Sequence, residues 1–310
     1  MTEQVGHIAV LVNPASGNGV GADSGHVAVE RLRARGAHVK VYQGADERET
    51  VALGRQAVGE RPDVVVVVGG DGTVSSVLGP VLTSGTPLAV IPGGTGNDLA
   101  REHGIPLDDA AAAADLVLDG ARRRVDTGTV TAADGTVRRF VTVLCAGLDS
   151  LTNERTNRMT WPRGPARYLA AVYLEWLRLR RFGYRLELTG EPGAPAPGVR
   201  VLEQDGYMLA IGLTRTYGGG VPICPGADPA DGLLDVTLVQ AMGRFRLLAF
   251  DSLIKAGTHV DRPEVTTLRA SAVRLAAPAG LVTYADGEPM GPAPVTIEAH
   301  RRSLTLCVPA

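Results

Sequence analysis

Three short segments combine glycine with hydroxyl, amide and carboxylate side chains in a way suited to phosphate: Asn13-Pro14-Ala15-Ser16-Gly17, Gly69-Gly70-Asp71-Gly72-Thr73 and Pro92-Gly93-Gly94-Thr95-Gly96-Asn97-Asp98. Glycine admits close backbone approach, and successive amides of such a turn can converge on an anion. A carboxylate there would repel bound phosphate unless it holds Mg2+ or positions water, so Asp71 points to metal-assisted phosphoryl chemistry. Each segment alone is also an ordinary strand-to-helix turn, and Asn97-Asp98 also reads as a helix N-cap before Leu99. Neither the GxxxxGK[ST] pattern nor the protein-kinase Gly-rich loop with its downstream HRD and DFG elements occurs.

The surrounding elements predict how these turns are positioned. Short β-branched runs (7 to 13, 37 to 42, 63 to 68, 87 to 91) alternate with helix-like stretches, including 108 to 118, in a βαβ rhythm. The unbroken valines at 64 to 68 are expected of a central parallel strand covered on both faces. All three turns then emerge at the carboxyl edge of one sheet, where open α/β folds bind ligands. From Arg124 the pattern changes to strands and turns (125 to 132, 137 to 144, 185 to 189, 206 to 213, 233 to 239), with one helix expected over 166 to 182. The proline-rich stretch 190 to 198 reads as a hairpin loop.

The three turns, in this order and spacing, resemble the diacylglycerol kinase catalytic-domain family, whose bacterial members include diacylglycerol- and sphingosine-type lipid kinases. The likeness continues through Val125-Asp126-Thr127-Gly128, Gly218-Gly219-Gly220 followed by Pro225, Asp231-Gly232-Leu233-Leu234-Asp235 and Asp286-Gly287-Glu288. It implies an α/β plus all-β protein: a doubly wound nucleotide domain, similar to that of NAD kinases and phosphofructokinases, over 1–127; a β-sandwich lipid-substrate domain over 128–296; an active site between them; and a tail, 297–310, returning to the first domain. The activity implied is ATP-dependent phosphorylation of a hydroxyl on diacylglycerol or a related lipid. By the same resemblance ATP would be held by Asn13, Pro14, Ala15, Ser16, Gly17, Gly69, Gly70, Asp71, Gly72, Thr73, Val74, Ser75, Gly94, Thr95 and Asn97, with Asp71 and Asp98 near the phosphates and the catalytic Mg2+. Glu288 matches the general base, with Asp71 as the rival. Asp228, Asp231 and Leu233 match a structural Mg2+ site, with Asp126 linked to it through water. Ser75-Ser76 stand where members commonly carry Asn-Glu, and Tyr42 where many carry threonine.

Between Arg155 and Arg185 lie eight arginines among aromatic residues that include Trp161, Tyr168, Tyr173, Trp176 and Phe182. That composition fits either a membrane interface or a helix whose aromatic side packs on the sandwich while its arginines stay solvated. The 310-residue chain is 45% hydrophobic, enough for two ordinary cores, and its 31 basic and 33 acidic residues create no field for nucleic acid. No stretch reaches the roughly 18 apolar residues of a membrane span. Three dispersed cysteines suggest neither a disulfide framework nor a zinc site, so a cytoplasmic protein, peripheral to the inner face of the membrane, is expected. A sheet edge in the β-rich part offers a route to a homodimer. Two other functions compete: a kinase of a soluble acceptor such as NAD, and a nucleotide-binding regulator without catalysis.

Overall fold

A computed structural model describes residues 6–14, 16–44, 47–162, 165–193 and 198–310. The chain divides into two compact units, Met1–Asp126 with Arg302–Ala310, and Thr127–Arg301.

The first unit runs β1 (His7–Val12), α1 (Val20–Ala34), β2 (His38–Gln43), α2 (Glu47–Gly59), β3 (Val64–Gly69), α3 (Asp71–Ser84), β4 (Leu88–Pro92), α4 (Asp98–Glu102), α5 (Ala110–Asp119) and the start of β5 (Ala121–Ala132). Parallel pairing gives the order β2-β1-β3-β4. The valines of β3 are fully buried because helices cover both faces of the sheet. Leu11 and Val12 point to opposite faces and show which helix lies on each. A Cβ on Gly25 of α1 would touch Val12, and one on Gly54 of α2 would lie 3.6 Å from Leu11. Since β1, β3 and β4 are parallel, the turns after them share one edge. The chain's last strand, β15 (Val295–Val308), adds to β4 in parallel through Leu306 and Leu88.

The second unit continues with β6 (Val137–Phe140), β7 (Val143–Gly147), α6 (Leu148–Arg158), α7 (Pro165–Arg178), β8 (Phe182–Thr189), β9 (Val199–Gly212), β10 (Leu234–Gln240), α8 (Arg244–Ala256), β11 (Val265–Ala270), β12 (Ala272–Ala276), β13 (Val282–Ala285) and β14 (Glu288–Pro292). Its pairing is antiparallel throughout the strands that follow β6. Strand β9 organises it: Val199–Gly206 pairs with β8, and Met208–Gly212 pairs with β7 on one side and β10 on the other. The inner faces bury Phe140, Leu144, Tyr184, Leu186, Leu209, Ile211 and Val236 in one core.

Three differences from the sequence-based expectation have local causes. The strand expected over 137 to 144 is two strands, because the amides of Val141 and Thr142 leave the ladder to bond Asp286. The helix expected over 166 to 182 stops at Arg178, and Phe182–Thr189 enters the sheet. Helices α6 and α8 were not anticipated from the pattern; α6 follows β7 through Gly147, whose φ of 97° only glycine adopts readily.

Candidate active site

The three glycine turns of the first unit are packed on one another. Gly93 N–H donates to Gly69 O at 3.0 Å, and a Cβ on Gly94 would fall 2.4 Å from Gly70 Cα. Gly17, at φ 59°, sits so close to the third turn that a Cβ would fall 2.3 Å from Gly93 O. Glycine is therefore required where the turns meet, whatever they bind.

Side chains lock the arrangement. Asn13 Nδ2 donates to Thr73 Oγ1 at 3.1 Å, joining the first turn to the second. Asn97, in the left-handed region at φ 53°, accepts from Gly94 N–H at 3.0 Å and donates to Gly94 O at 2.9 Å, so it closes its own turn. The Asp71 carboxylate accepts from Asp98 N–H at 2.9 Å and Leu99 N–H at 3.0 Å. It caps α4 from another element, doing what Asn97 does not, since Asn97 makes no side-chain cap bond. Burial raises the Asp71 pKa, the Leu99 and Asp98 amides pull it down, and the nearby Asp98 charge pushes it up. Asp98 is buried, while Thr95 is exposed at the tip of the third turn. Ser76 Oγ donates to Thr73 O, so the hydroxyl that replaces an acidic side chain serves the helix locally.

Of the residues expected to hold nucleotide, Asn13, Pro14, Ser16, Gly17, Gly69 to Ser75, Gly94, Thr95, Asn97 and Asp98 thus belong to three adjoining turns or the helix starts behind them. Ala15 lies outside the described residues. Two neighbouring carboxylates amid glycine amides are a donor set that fits Mg2+ shared with phosphate, an ion bound through one or two carboxylates plus substrate oxygens. Among the described residues no three His, Cys, Asp or Glu side chains cluster as a self-sufficient metal cage.

Glu288 opens β14 directly after Asp286-Gly287, whose φ values of 54° and 84° make a two-residue hairpin turn of the mirror-image type. Asp286 fixes this hairpin: its carboxylate accepts from Val141 N–H at 3.0 Å, Thr142 N–H at 3.1 Å and the Thr142 hydroxyl. The half-buried Glu288 is carried on that anchored tip.

Asp228 and Asp231 fold their loop through bonds to Ala230 N–H and Leu233 N–H. Asp231 also pairs with Arg269, which reaches Asp235 at 3.3 Å as well. A guanidinium thus already pairs with Asp231, the carboxylate among the residues expected to hold a structural cation, and a divalent ion would have to displace it. Asp126 is buried and accepts from Arg302 N–H at 2.6 Å, tying β5 to β15.

Asp149, in the first turn of α6, was not singled out by sequence because an acid there reads as an ordinary helix-start residue. It is buried, and its Oδ2 has no hydrogen-bond partner. Burial lifts its pKa to about 6, opposed by a hydrogen bond from Tyr217, whose own pKa burial raises.

A parallel sheet with three interlocked glycine turns at its carboxyl edge, continued by an antiparallel β-rich unit, defines the two-domain α/β plus β-sandwich class. Residues 7–130 match the diacylglycerol kinase catalytic domain and residues 142–308 the YegS C-terminal NAD kinase beta sandwich-like domain. A Mycobacterium tuberculosis protein named diacylglycerol kinase is 41% identical over 99% of this chain and 96% of its own. A Staphylococcus aureus protein of the same name is 24% identical over 97% and 91%. The crystal structure of a Bacillus anthracis diacylglycerol kinase superposes with a TM-score of 0.75 at 20% identity, covering 99% of this chain and 98% of that one, a likeness of fold. The chain belongs to the diacylglycerol kinase family, a family of kinases.

Proposed function

We propose that the chain transfers the γ-phosphoryl group of ATP, with Mg2+, to a hydroxyl of diacylglycerol or a closely related lipid, acting from the cytoplasm at the inner face of the membrane. The supporting observation is the interlocked set of turns, in which Asp71 bonds the start of α4 and leaves Asp98 beside it. In this reading the turn amides and Thr95 hold the triphosphate, and Asp71 and Asp98 present oxygen to the metal. Bound Mg2+ would neutralise charge on the phosphate oxygens. Glu288 accepts the proton of the acceptor hydroxyl as that oxygen attacks phosphorus; Asp71, both of whose oxygens already accept amide bonds, is the poorer base. The lipid acceptor follows the name of the 41% identical relative.

The test is to incubate purified protein with γ-labelled ATP and a total lipid extract and identify the labelled product. Phosphatidic acid is expected; label on NAD alone, or on nothing despite bound ATP, would sink this reading. Glu288→Gln should bind ATP as the parent does and lose transfer by about two orders of magnitude or more.

A further inference from the structure

Helix α7 carries a second apolar stripe on its outward side. Leu169, Tyr173 and Leu177, spaced by four, share one face, and they are 68%, 59% and 43% exposed. Trp161, just before the helix, is 80% exposed. The inward face instead buries Ala171 and Glu175, and Glu175 is paired with Arg155 of α6. Trp176 and Leu179, half-buried, pack against the second core of this unit, which leaves the stripe of Leu169, Tyr173 and Leu177 outside that packing. Apart from Tyr168 beside this stripe, the remaining large apolar side chains exposed among the described residues are dispersed valines, namely Val20, Val27, Val41, Val137, Val199 and Val201. Every exposed leucine, tyrosine or tryptophan of that kind falls between Trp161 and Leu177. A concentrated patch of this sort marks a docking surface.

Charge selects the occupant. From Arg155 to Arg185 the chain carries eight arginines and one acid; Arg155 pairs with that acid, the buried Glu175, and Arg158 and Arg185 pair with Glu154 and with Glu187 and Glu203. Arg178, Arg180 and Arg181 are exposed at the carboxyl end of α7, while Arg158 at the end of α6, though 78% exposed, is paired with Glu154. A second copy docking by two-fold symmetry would set this cationic patch against itself, which like-charge repulsion opposes. Tryptophan and tyrosine favour the interfacial zone of a bilayer, and clustered arginine favours anionic headgroups.

We infer that the outward face of α7, with Trp161 and the flanking arginines, is a docking surface for an anionic phospholipid bilayer. The inference deepens the proposed function, on which it rests for its purpose. Docking by this face presents the second unit to a membrane-embedded acceptor, and no helix among the described residues is long and apolar enough to cross a membrane.

Flotation with phosphatidylglycerol/phosphatidylcholine vesicles tests it. The parent should bind these vesicles, bind pure phosphatidylcholine far less, and release as salt rises. Leu169→Glu with Tyr173→Glu, and separately Arg178→Gln with Arg181→Gln, should each lower binding about tenfold while leaving the melting temperature unchanged. In a Trp176→Phe background Trp161 is the only tryptophan, and its emission should shift to the blue on anionic vesicles. Absence of binding, binding indifferent to both pairs of substitutions, or a concentration-dependent dimer abolished by Leu169→Glu would overturn the inference, the last by assigning the face to a second copy. Activity separates it from the parent reading: the docking variants should turn over monomeric dihexanoylglycerol normally and vesicle-borne dioleoylglycerol poorly. A parent protein that phosphorylates neither lipid refutes the proposed acceptor, whereas vesicle binding still decides the docking surface.

Discussion

Asp71 and Leu99 are joined across two glycine turns: the carboxylate at the start of α3 accepts the amide N–H near the start of α4 at 3.0 Å, and its second oxygen accepts from Asp98 N–H. The acid that the sequence offers as a metal ligand or base therefore also holds the neighbouring turn in place. Removing it exposes two buried amide donors as well as deleting a charge.

Asp71→Asn is expected to affect both roles. One amide oxygen can still accept one N–H, but the other amide loses its partner, at a cost of about 1–3 kcal/mol. The variant should melt lower, bind ATP more weakly and transfer phosphate at least about a hundredfold more slowly. Thermal unfolding with and without ATP, together with single-turnover transfer, checks this; full activity would show that Asp71 serves only as a cap elsewhere dispensable.

Gly94→Ala probes the contact between turns without touching a charge. The added Cβ would meet Gly70 Cα at 2.4 Å and Asn97 Oδ1 at 3.0 Å, so the turns must part. A loss of about 1–3 kcal/mol is expected from overpacking, with ATP affinity reduced about tenfold or more. Calorimetric titration with ATP measures the second effect. Gly85→Ala, at a glycine with open space around it but φ 72°, serves as a control that strains the backbone and should leave ATP affinity unchanged.

What the sequence made legible is what is local or repeated. The valines of β3 announce a covered strand, and the glycine turns follow their strands directly, so the sheet edge could be read without coordinates. Contacts made across long separations could not: Asp286 takes amides from Val141 and Thr142, Arg269 reaches Asp231, and Tyr217 meets Asp149. The sequence left two readings of the segment from Arg155 to Arg185 because a helical period shows that two faces differ and not which one turns inward. In the fold each face takes apolar residues: Trp176 and Leu179 pack against the core beside the buried Glu175, while Leu169, Tyr173 and Leu177 are exposed.

Arg269 supplies a prediction about metal removal. Because its guanidinium already pairs with Asp231 and reaches Asp235, chelation with EDTA should leave the melting temperature of the parent unchanged. In Arg269→Leu the two carboxylates lose that partner, and the unpaired charges should destabilise the loop until a divalent cation is added. Melting curves of both proteins with EDTA and with excess Mg2+ decide it. A fall in the parent's melting temperature on chelation would instead show that a cation displaces the guanidinium.

Asp149 gives the molecule a pH dependence of definite sign. Its pKa in the fold is raised to about 6 from the ordinary carboxylate value near 3.8, chiefly by burial. The folded state therefore binds the proton more tightly than the unfolded chain, and ionising Asp149 costs stability as pH rises between those values. The cost is absent below about pH 4 and complete above about pH 6–7, where the shift corresponds to roughly 3 kcal/mol. Asp149→Asn cannot ionise, so its stability relative to the parent should improve by about that amount between pH 4 and pH 8, whatever the constant offset from its buried amide. Chemical denaturation of both proteins across this range measures the difference. A flat difference would mean that Asp149 finds a partner for its second oxygen in solution and is not an isolated buried acid.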